Sequence, residues 1–316
     1  MSSNQQSSNV DTIATGLAAC GRAALTYIDP ANADRPVVLN TYRAPSYVPG
    51  NPVVLVQHGV LRNGDDYRDF WIPAADRHGL LIVAPTFSDA DWPGLHSYNN
   101  GRVRDQDTLL DAPPEASQSE ATGPVRPVSD WTYAILARIW ADLNASGVVQ
   151  RPRAHLFGHS AGGQFVHRLM SSQSHDAFEA VISSNSGWYT LPDLSLPFPE
   201  GMRIDGLDQS HLVRLLAYPL TLLLGRCDND TDAPNLPKNP EALRQGAHRH
   251  ARGHHYFKLG QQAAQRLNVP FNWTLRDVDH IGHNGDAMSV VAASVWFDGV
   301  MPDSDTLARL AAGQVA

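Results

Sequence analysis

The feature that most constrains this chain is a series of short apolar runs separated by helical stretches. Pro36–Tyr42 (PVVLNTY) and Pro52–Gln57 (PVVLVQ) are β-branched, are bounded by Pro, Gly and Asn, and read as strands. Asp65–His78 reads as a helix, and Leu80–Pro85 (LLIVAP) is a continuous apolar run of the kind buried on both faces of a sheet. Further strands are expected at Ala154–Phe157, Ala180–Ser184, Tyr218–Leu224 and Phe271–Val278. Helices are expected at about Asp130–Ala145 with Ser129 as its cap, after Ser160, over most of Pro240–Leu267 and over Ala287–Phe297. Strands that alternate with helices in this way predict an α/β domain, with a mostly parallel central sheet covered by helices on both faces.

No internal repeat and no second core interrupt this alternation, so residues 21–316 read as a single domain. Residues 1–20 begin with MSSNQQSSNVDT, which is polar, lacks Lys and Arg, and reads as a poorly ordered tail rather than a secretion signal. No apolar run approaches the roughly 18 residues of a membrane span, so a soluble, cytoplasmic protein without membrane insertion is expected. Between about residues 88 and 128 the pattern dissolves into Gly, Pro, Asp and Ser, as a lid-like insertion does. With 24 Lys plus Arg against 32 Asp plus Glu and no basic stripe, the chain offers nucleic acid nothing to track. Two cysteines, Cys20 and Cys227, cannot build a disulfide framework.

Chemistry concentrates at the ends of the later strands. The stretch HLFGHSAGGQFVHR carries Gly158-His159-Ser160-Ala161-Gly162, a GxSxG pattern set between a strand and a helix. A sharp strand-to-helix turn leaves little room beside the serine, so glycines flank it and the Ser160 hydroxyl is pushed into the open. A serine needs a base to take its proton, and the base needs an acid to orient it. The loop after Tyr218–Leu224 reads GRCDND, where Asp228 lies closest to the strand end and is the expected acid, with Asp230 the alternative. The loop after the last strand reads DHIGHNG, where His283 directly precedes the final helix and is the expected base, with His280 the alternative. Oxyanion donors are expected from the backbone N–H of Ala161 and from the turn QHGVL, with Val60 preferred and Leu61 second. His58 is read as a brace for that turn.

These residues resemble the α/β-hydrolase superfamily and, within it, esterases of the polyhydroxybutyrate-depolymerase-like group. The segments VVLVQHGVLRNGDDY, LLIVAPTF, WPGLHSYNNG, LFGHSAGGQF, SNSGWYTLPD, LLLGRCDND and VDHIGHNGDAM carry the resemblance across residues 53–290. It implies the α/β-hydrolase fold, a Ser160, Asp228, His283 triad, and cleavage of short or medium acyl or hydroxyalkanoate-type esters through an acyl-enzyme. Neither a metal nor an organic cofactor is required. A small-molecule or oligomeric ester is the expected partner, with thioester or amide hydrolysis on the same triad, or a non-catalytic binding protein, as alternatives.

Trp92, Tyr98, Trp188 and Tyr189 lie in segments that should face the site, and together with His159 they are expected to wall an aromatic cleft. His248, His250, His254 and His255 cluster in GAHRHARGHHYF. His250 and His254 have the i, i+4 spacing of a metal pair, but without an intervening Glu the segment reads as a solvated helix face and no metal site is assigned.

Overall fold

The computed structural model of the chain describes residues 2–105, 113 and 115–314. Its centre is an eight-stranded sheet of β1 (Gly21–Ile28), β2 (Pro36–Arg43), β3 (Val53–Gln57), β4 (Leu81–Thr86), β5 (Ala154–His159), β6 (Phe178–Ser184), β7 (Leu220–Gly225) and β8 (Thr274–Val278). The strand order is β1-β2-β4-β3-β5-β6-β7-β8. β2 runs antiparallel to both β1 and β4, and every pairing from β4 onward is parallel. β3 is buried along its whole length, as its unbroken apolar composition requires of a strand covered on both faces. Each of its fully buried valines and leucine contributes about 1.5–3 kcal/mol of burial free energy.

The helices are α1 (Ser2–Gly16), α2 (Gly64–Asp69), α3 (Ile72–His78), α4 (Gly94–Ser97), α5 (Ile135–Ala145), α6 (Ala161–Ser172), α7 (Gln209–Ala217), α8 (Pro240–Gln245), α9 (Arg249–Leu267), α10 (Gly285–Ala293) and α11 (Ser304–Ala311). α6 packs on β3, β5 and β6, and α10 on β5 and β7, so the two helices that follow the serine and the histidine are both seated on the middle of the sheet.

Several expectations are corrected. The segment read as a poorly ordered tail forms α1 and then a turn leading into β1. Ile13 and Leu17 are buried on β1 and α5, and the Asn9 side chain both accepts from the Ile28 N–H and donates to the Ile28 carbonyl. Asp65–His78 is two helices, because Pro73 cannot donate to the ladder at the start of the second. The helix expected from Asp130 begins as a true α-helix only at Ile135, since Trp131 is extended (ψ 148°); Ser129 bonds Asp130 rather than capping. The helix from Ala287 begins at Gly285 and gives way to a π-turn over Ser294–Asp298. Of the lid-like segment 88–128, residues 106–112 and 114 lie outside the described residues. Among the described ones, Trp92, Tyr98 and Val103 are part of the hydrophobic core. Cys20 and Cys227 are both free thiols at the surface. Among the described residues no helix is long and apolar enough to cross a membrane.

Candidate active site

Ser160 stands between β5 and α6 with φ 60° and ψ −118°, a backbone conformation that costs a non-glycine residue about 1–3 kcal/mol. The surroundings hold it there. Its N–H donates to the Ser184 carbonyl at 3.0 Å, and its own carbonyl accepts from Gln164 N–H at 3.0 Å. A Cβ on Gly158 would stand 2.2 Å from the Gly162 carbonyl oxygen, and one on Gly162 would stand 2.1 Å from that of Gln57. The two glycines therefore let α6 lie close enough on β3 and β5 for the turn to close.

The Ser160 hydroxyl lies 2.9 Å from His283 Nε2, and His283 Nδ1 lies 2.7 Å from Asp228 Oδ2. An ionised carboxylate can only accept, so the proton sits on Nδ1 and the Nε2 lone pair faces the serine hydroxyl. Asp228 is buried, whereas the His283 side chain keeps 28% of its surface exposed. The second Asp228 oxygen meets the buried guanidinium of Arg249 at 3.4 Å. Burial pulls the Arg249 pKa down and the carboxylate pushes it back up. The alternatives are elsewhere: Asp230 is exposed and accepts from the Asp232 N–H, and exposed His280 bonds Ser304.

Loop ends hold the three residues in register. Asn185 donates from Nδ2 to the Gly282 carbonyl and accepts at Oδ1 from the Gly225 N–H, while the Cys227 N–H donates to the Ile281 carbonyl. Asn284 then caps α10 by accepting from the Ala287 N–H. Nothing in the sequence marks Asn185 or Arg249 for these tasks, because each acts across strands far apart in the chain.

Ala161 heads α6, so its N–H is among those a helix cannot satisfy internally, and the helix dipole favours negative charge there. The turn after β3 supplies the other side. A Cβ on Gly59 would lie 3.8 Å from Ser160 Cβ, which places this turn beside the serine. His58 donates from Nδ1 to the Gly59 carbonyl at 2.8 Å and accepts at Nε2 from the Phe87 N–H at 3.1 Å. In a trans peptide the N–H points opposite the carbonyl, so fixing the Gly59 oxygen fixes the direction of the Val60 N–H. Burial holds His58 neutral, its pKa pushed down to about 3.

Of the five residues expected to wall a cleft, only Trp188 does so. A cavity of about 620 Å³ is lined by Val60, Trp188, Gln164, Phe198, Asn99 and Leu236 among others. The buried Arg168 guanidinium packs 4.8 Å from the Trp188 ring centroid. Trp92 is core: its indole donates to the Pro36 carbonyl and its ring packs on Phe87. Tyr98 lies beneath the turn after β3, donating to the His58 carbonyl. Tyr189 is buried and stacked on Tyr256. His159 is buried behind His283, with its ring centroid 4.6 Å from that of His283 and its Nδ1 bonded to the Tyr67 hydroxyl at 2.9 Å. Aromatic bulk near a strand end served the core more than the cleft, since rings here fill the space under the loops.

Comparison with known proteins places this geometry. No protein-family model matches the chain, and none of the curated proteins does. Among solved structures, the chain is similar to LpqC, a poly(3-hydroxybutyrate) depolymerase from Bordetella parapertussis, at 56% identity over 96% of this chain and 98% of that one, with a TM-score of 0.87. It is also similar to poly(aspartic acid) hydrolase-1 from Sphingomonas sp. KT-1, at 33% identity over 87% and 98% of the two chains and a TM-score of 0.78. An S-formylglutathione hydrolase from Agrobacterium tumefaciens shares the fold, at 14% identity over 87% and 94% and a TM-score of 0.52. With the sheet order, the strand-to-helix serine turn and these likenesses in hand, the chain belongs to the α/β-hydrolase superfamily and, within it, to the polyhydroxybutyrate-depolymerase-like esterases.

Proposed function

We propose that Ser160, His283 and Asp228 carry out ester hydrolysis through an acyl-enzyme. The observation that carries this reading is the unbroken relay from the Ser160 hydroxyl through both nitrogens of His283 to Asp228, at 2.9 and 2.7 Å. His283 Nε2 takes the hydroxyl proton as Ser160 Oγ bonds to the ester carbonyl carbon, and the carbonyl electrons pass to the oxygen between the Val60 and Ala161 N–H groups. Collapse of that intermediate breaks the ester C–O bond, and the proton on His283 leaves with the alcohol. Water then repeats the sequence on the acyl-enzyme, releasing the acid and restoring Ser160. Asp228 keeps the imidazole in its Nδ1–H form and stabilises the imidazolium. No step calls on a metal or an organic cofactor.

The cavity favours short or medium acyl chains. Its volume lies within the range of small-molecule sites, and Val60, Phe198 and Leu236 offer apolar walls while Gln164 and Asn99 offer polar groups to a hydroxyacyl oxygen. A hydroxyalkanoate ester or its oligomer suits that mixture, in line with the depolymerase named above. Amide cleavage is the second reading, since a relative at 33% identity is named a poly(aspartic acid) hydrolase.

A panel of p-nitrophenyl acyl esters, 3-hydroxybutyrate oligomers, thioesters and aspartyl peptides tests both readings. Ester turnover is expected to dominate, and Ser160→Ala is expected to reduce kcat by at least about 10⁴-fold. Equal ester turnover in wild type and Ser160→Ala would refute the mechanism, and faster turnover of the peptides would move the assignment to amides.

A further inference from the structure

On the surface beside the acid loop, α9 and β8 bring together three side chains that the ester chemistry does not use. His250 and His254 are one helical turn apart on α9 and so project to the same side. Asp277, on the outermost strand β8, faces them: its Oδ1 lies 2.9 Å from His250 Nε2 and 2.9 Å from His254 Nε2. The three potential ligand atoms all lie within 4.8 Å of one another. Two imidazole nitrogens one helical turn apart and a carboxylate oxygen from a neighbouring strand thus converge on one small volume, a donor set of the type that binds transition-metal ions.

We propose that His250, His254 and Asp277 form a binding site for a divalent transition-metal ion of the zinc class, separate from the ester site. Zinc takes imidazole nitrogens at about 2.0–2.1 Å and carboxylate oxygens at about 2.0–2.2 Å, so tetrahedral ligands stand about 3.3 Å apart. Each N···O contact therefore needs to open by only a few tenths of an ångström. On binding, the two imidazoles give Nε2 lone pairs to the ion and carry their protons on Nδ1; water completes the fourth position. Arg226 approaches the other oxygen, Asp277 Oδ2, at 3.4 Å, which leaves Oδ1 as the single carboxylate ligand and orients it. His254 is exposed while His250 and Asp277 are half-buried, so an ion has an open approach to a partly desolvated site. Imidazole ligands select zinc-like ions over magnesium and calcium, which prefer oxygen.

The site is also mechanically joined to the acid loop. The His250 N–H donates to the Asp228 carbonyl at 3.1 Å, and Arg226 stands two residues before Asp228. An ion that pins α9 to β8 thus stiffens the segment that presents Asp228.

The test is calorimetric titration of the tag-free, metal-stripped full chain with Zn²⁺, repeated for His254→Ala and Asp277→Asn, with Co²⁺ absorbance as a second readout. One ion per chain is expected in the wild type, with visible Co²⁺ bands characteristic of low coordination number. Each variant is expected to bind at least about 10–100-fold more weakly, the range that loss of a ligand's supporting partner alone produces. His254→Ala changes an exposed helix residue, and circular dichroism checks that both variants are folded. Absence of stoichiometric binding in the wild type, or unchanged affinity in the two folded variants, would overturn the proposal.

Discussion

Asn185 Nδ2 donates to the carbonyl of Gly282 at 3.0 Å, tying the end of β6 to the loop that presents His283. The same side chain accepts from the Gly225 N–H at 2.9 Å, so one amide links the end of β6 to both the loop carrying Asp228 and the loop carrying His283. Asn185 also has φ 45°, a left-handed conformation that asparagine tolerates better than most residues.

Two substitutions separate these roles. Asn185→Gly keeps the backbone conformation and removes both hydrogen bonds, whereas Asn185→Ala removes the bonds and adds backbone strain. Both variants are expected to lose stability by about 1–3 kcal/mol from the unsatisfied Gly282 and Gly225 groups, with alanine the worse. Ester kcat is expected to fall while KM changes little. A glycine variant with wild-type kcat would show that His283 is placed without this bridge.

Fully buried histidines weaken the fold in acid. His58, His159 and His167 are fully buried, and burial lowers each pKa, that of His58 to about 3. His167 uses both ring nitrogens as a neutral imidazole does, donating from Nδ1 to the Gly163 carbonyl and accepting at Nε2 from the Thr190 N–H. Each folded pKa lies below the unfolded value near 6.5, so below that pH the unfolded chain binds more protons than the folded one. Stability from these groups is therefore complete above about pH 6.5 and is lost as pH falls toward the folded values. Urea unfolding midpoints measured at pH 7, 6, 5 and 4.5 should fall progressively; a flat profile would contradict neutral burial.

The serine turn tolerates no added carbon. Gly162→Ala would place a Cβ 2.1 Å from the Gln57 carbonyl oxygen and 2.8 Å from that of His58, and both are backbone atoms that cannot swing aside. Relief requires α6 to back away from β3, which moves the Ala161 N–H as well as Ser160. The variant is expected to lose ester activity by at least about 100-fold, the effect of removing one oxyanion donor. Gly50→Ala, on the surface with nothing within 4 Å of the new Cβ and no left-handed backbone to strain, serves as the control and should retain full turnover. Equal activity in both variants would mean that the close packing of α6 on β3 is not needed.

Much of this architecture was legible in the chain because it is local. Strands β2 to β8 announce themselves as short strand-like runs closed by turn residues, and Ser160, Asp228 and His283 each follow such a run. β1 was not read, since GRAALTYI opens on small residues with weak strand preference. α1 was missed for a similar reason: its polar sequence carries little beyond Ile13 and Leu17 to bury, and the contact that seats Asn9 is with a strand. Trp92, Tyr98 and Tyr189 sit at the expected strand ends but point inward, a direction that spacing within an irregular loop does not encode. The approach of Asp277 to His250 and His254 is likewise tertiary, visible only once β8 lies beside α9.

The contact between Tyr67 and His159 gives the last prediction. Tyr67 OH meets His159 Nδ1 at 2.9 Å in a fully buried pair, and His159 Nε2 has no hydrogen-bond partner. Removing the hydroxyl in Tyr67→Phe leaves the imidazole with no bond at all, an uncompensated burial that should cost about 1–3 kcal/mol. In His159→Phe the tyrosine hydroxyl loses its imidazole partner and keeps only the Gly59 backbone contact, and the double variant leaves no imidazole unpaired. A double-mutant cycle should therefore show the double variant more stable than the sum of the singles predicts, by about 1–2 kcal/mol. Because the His159 ring lies against His283, ester kcat is expected to follow the same non-additivity. Strictly additive stability and activity would mean that the hydroxyl and the imidazole act independently, and that His159 is only a filler behind the base.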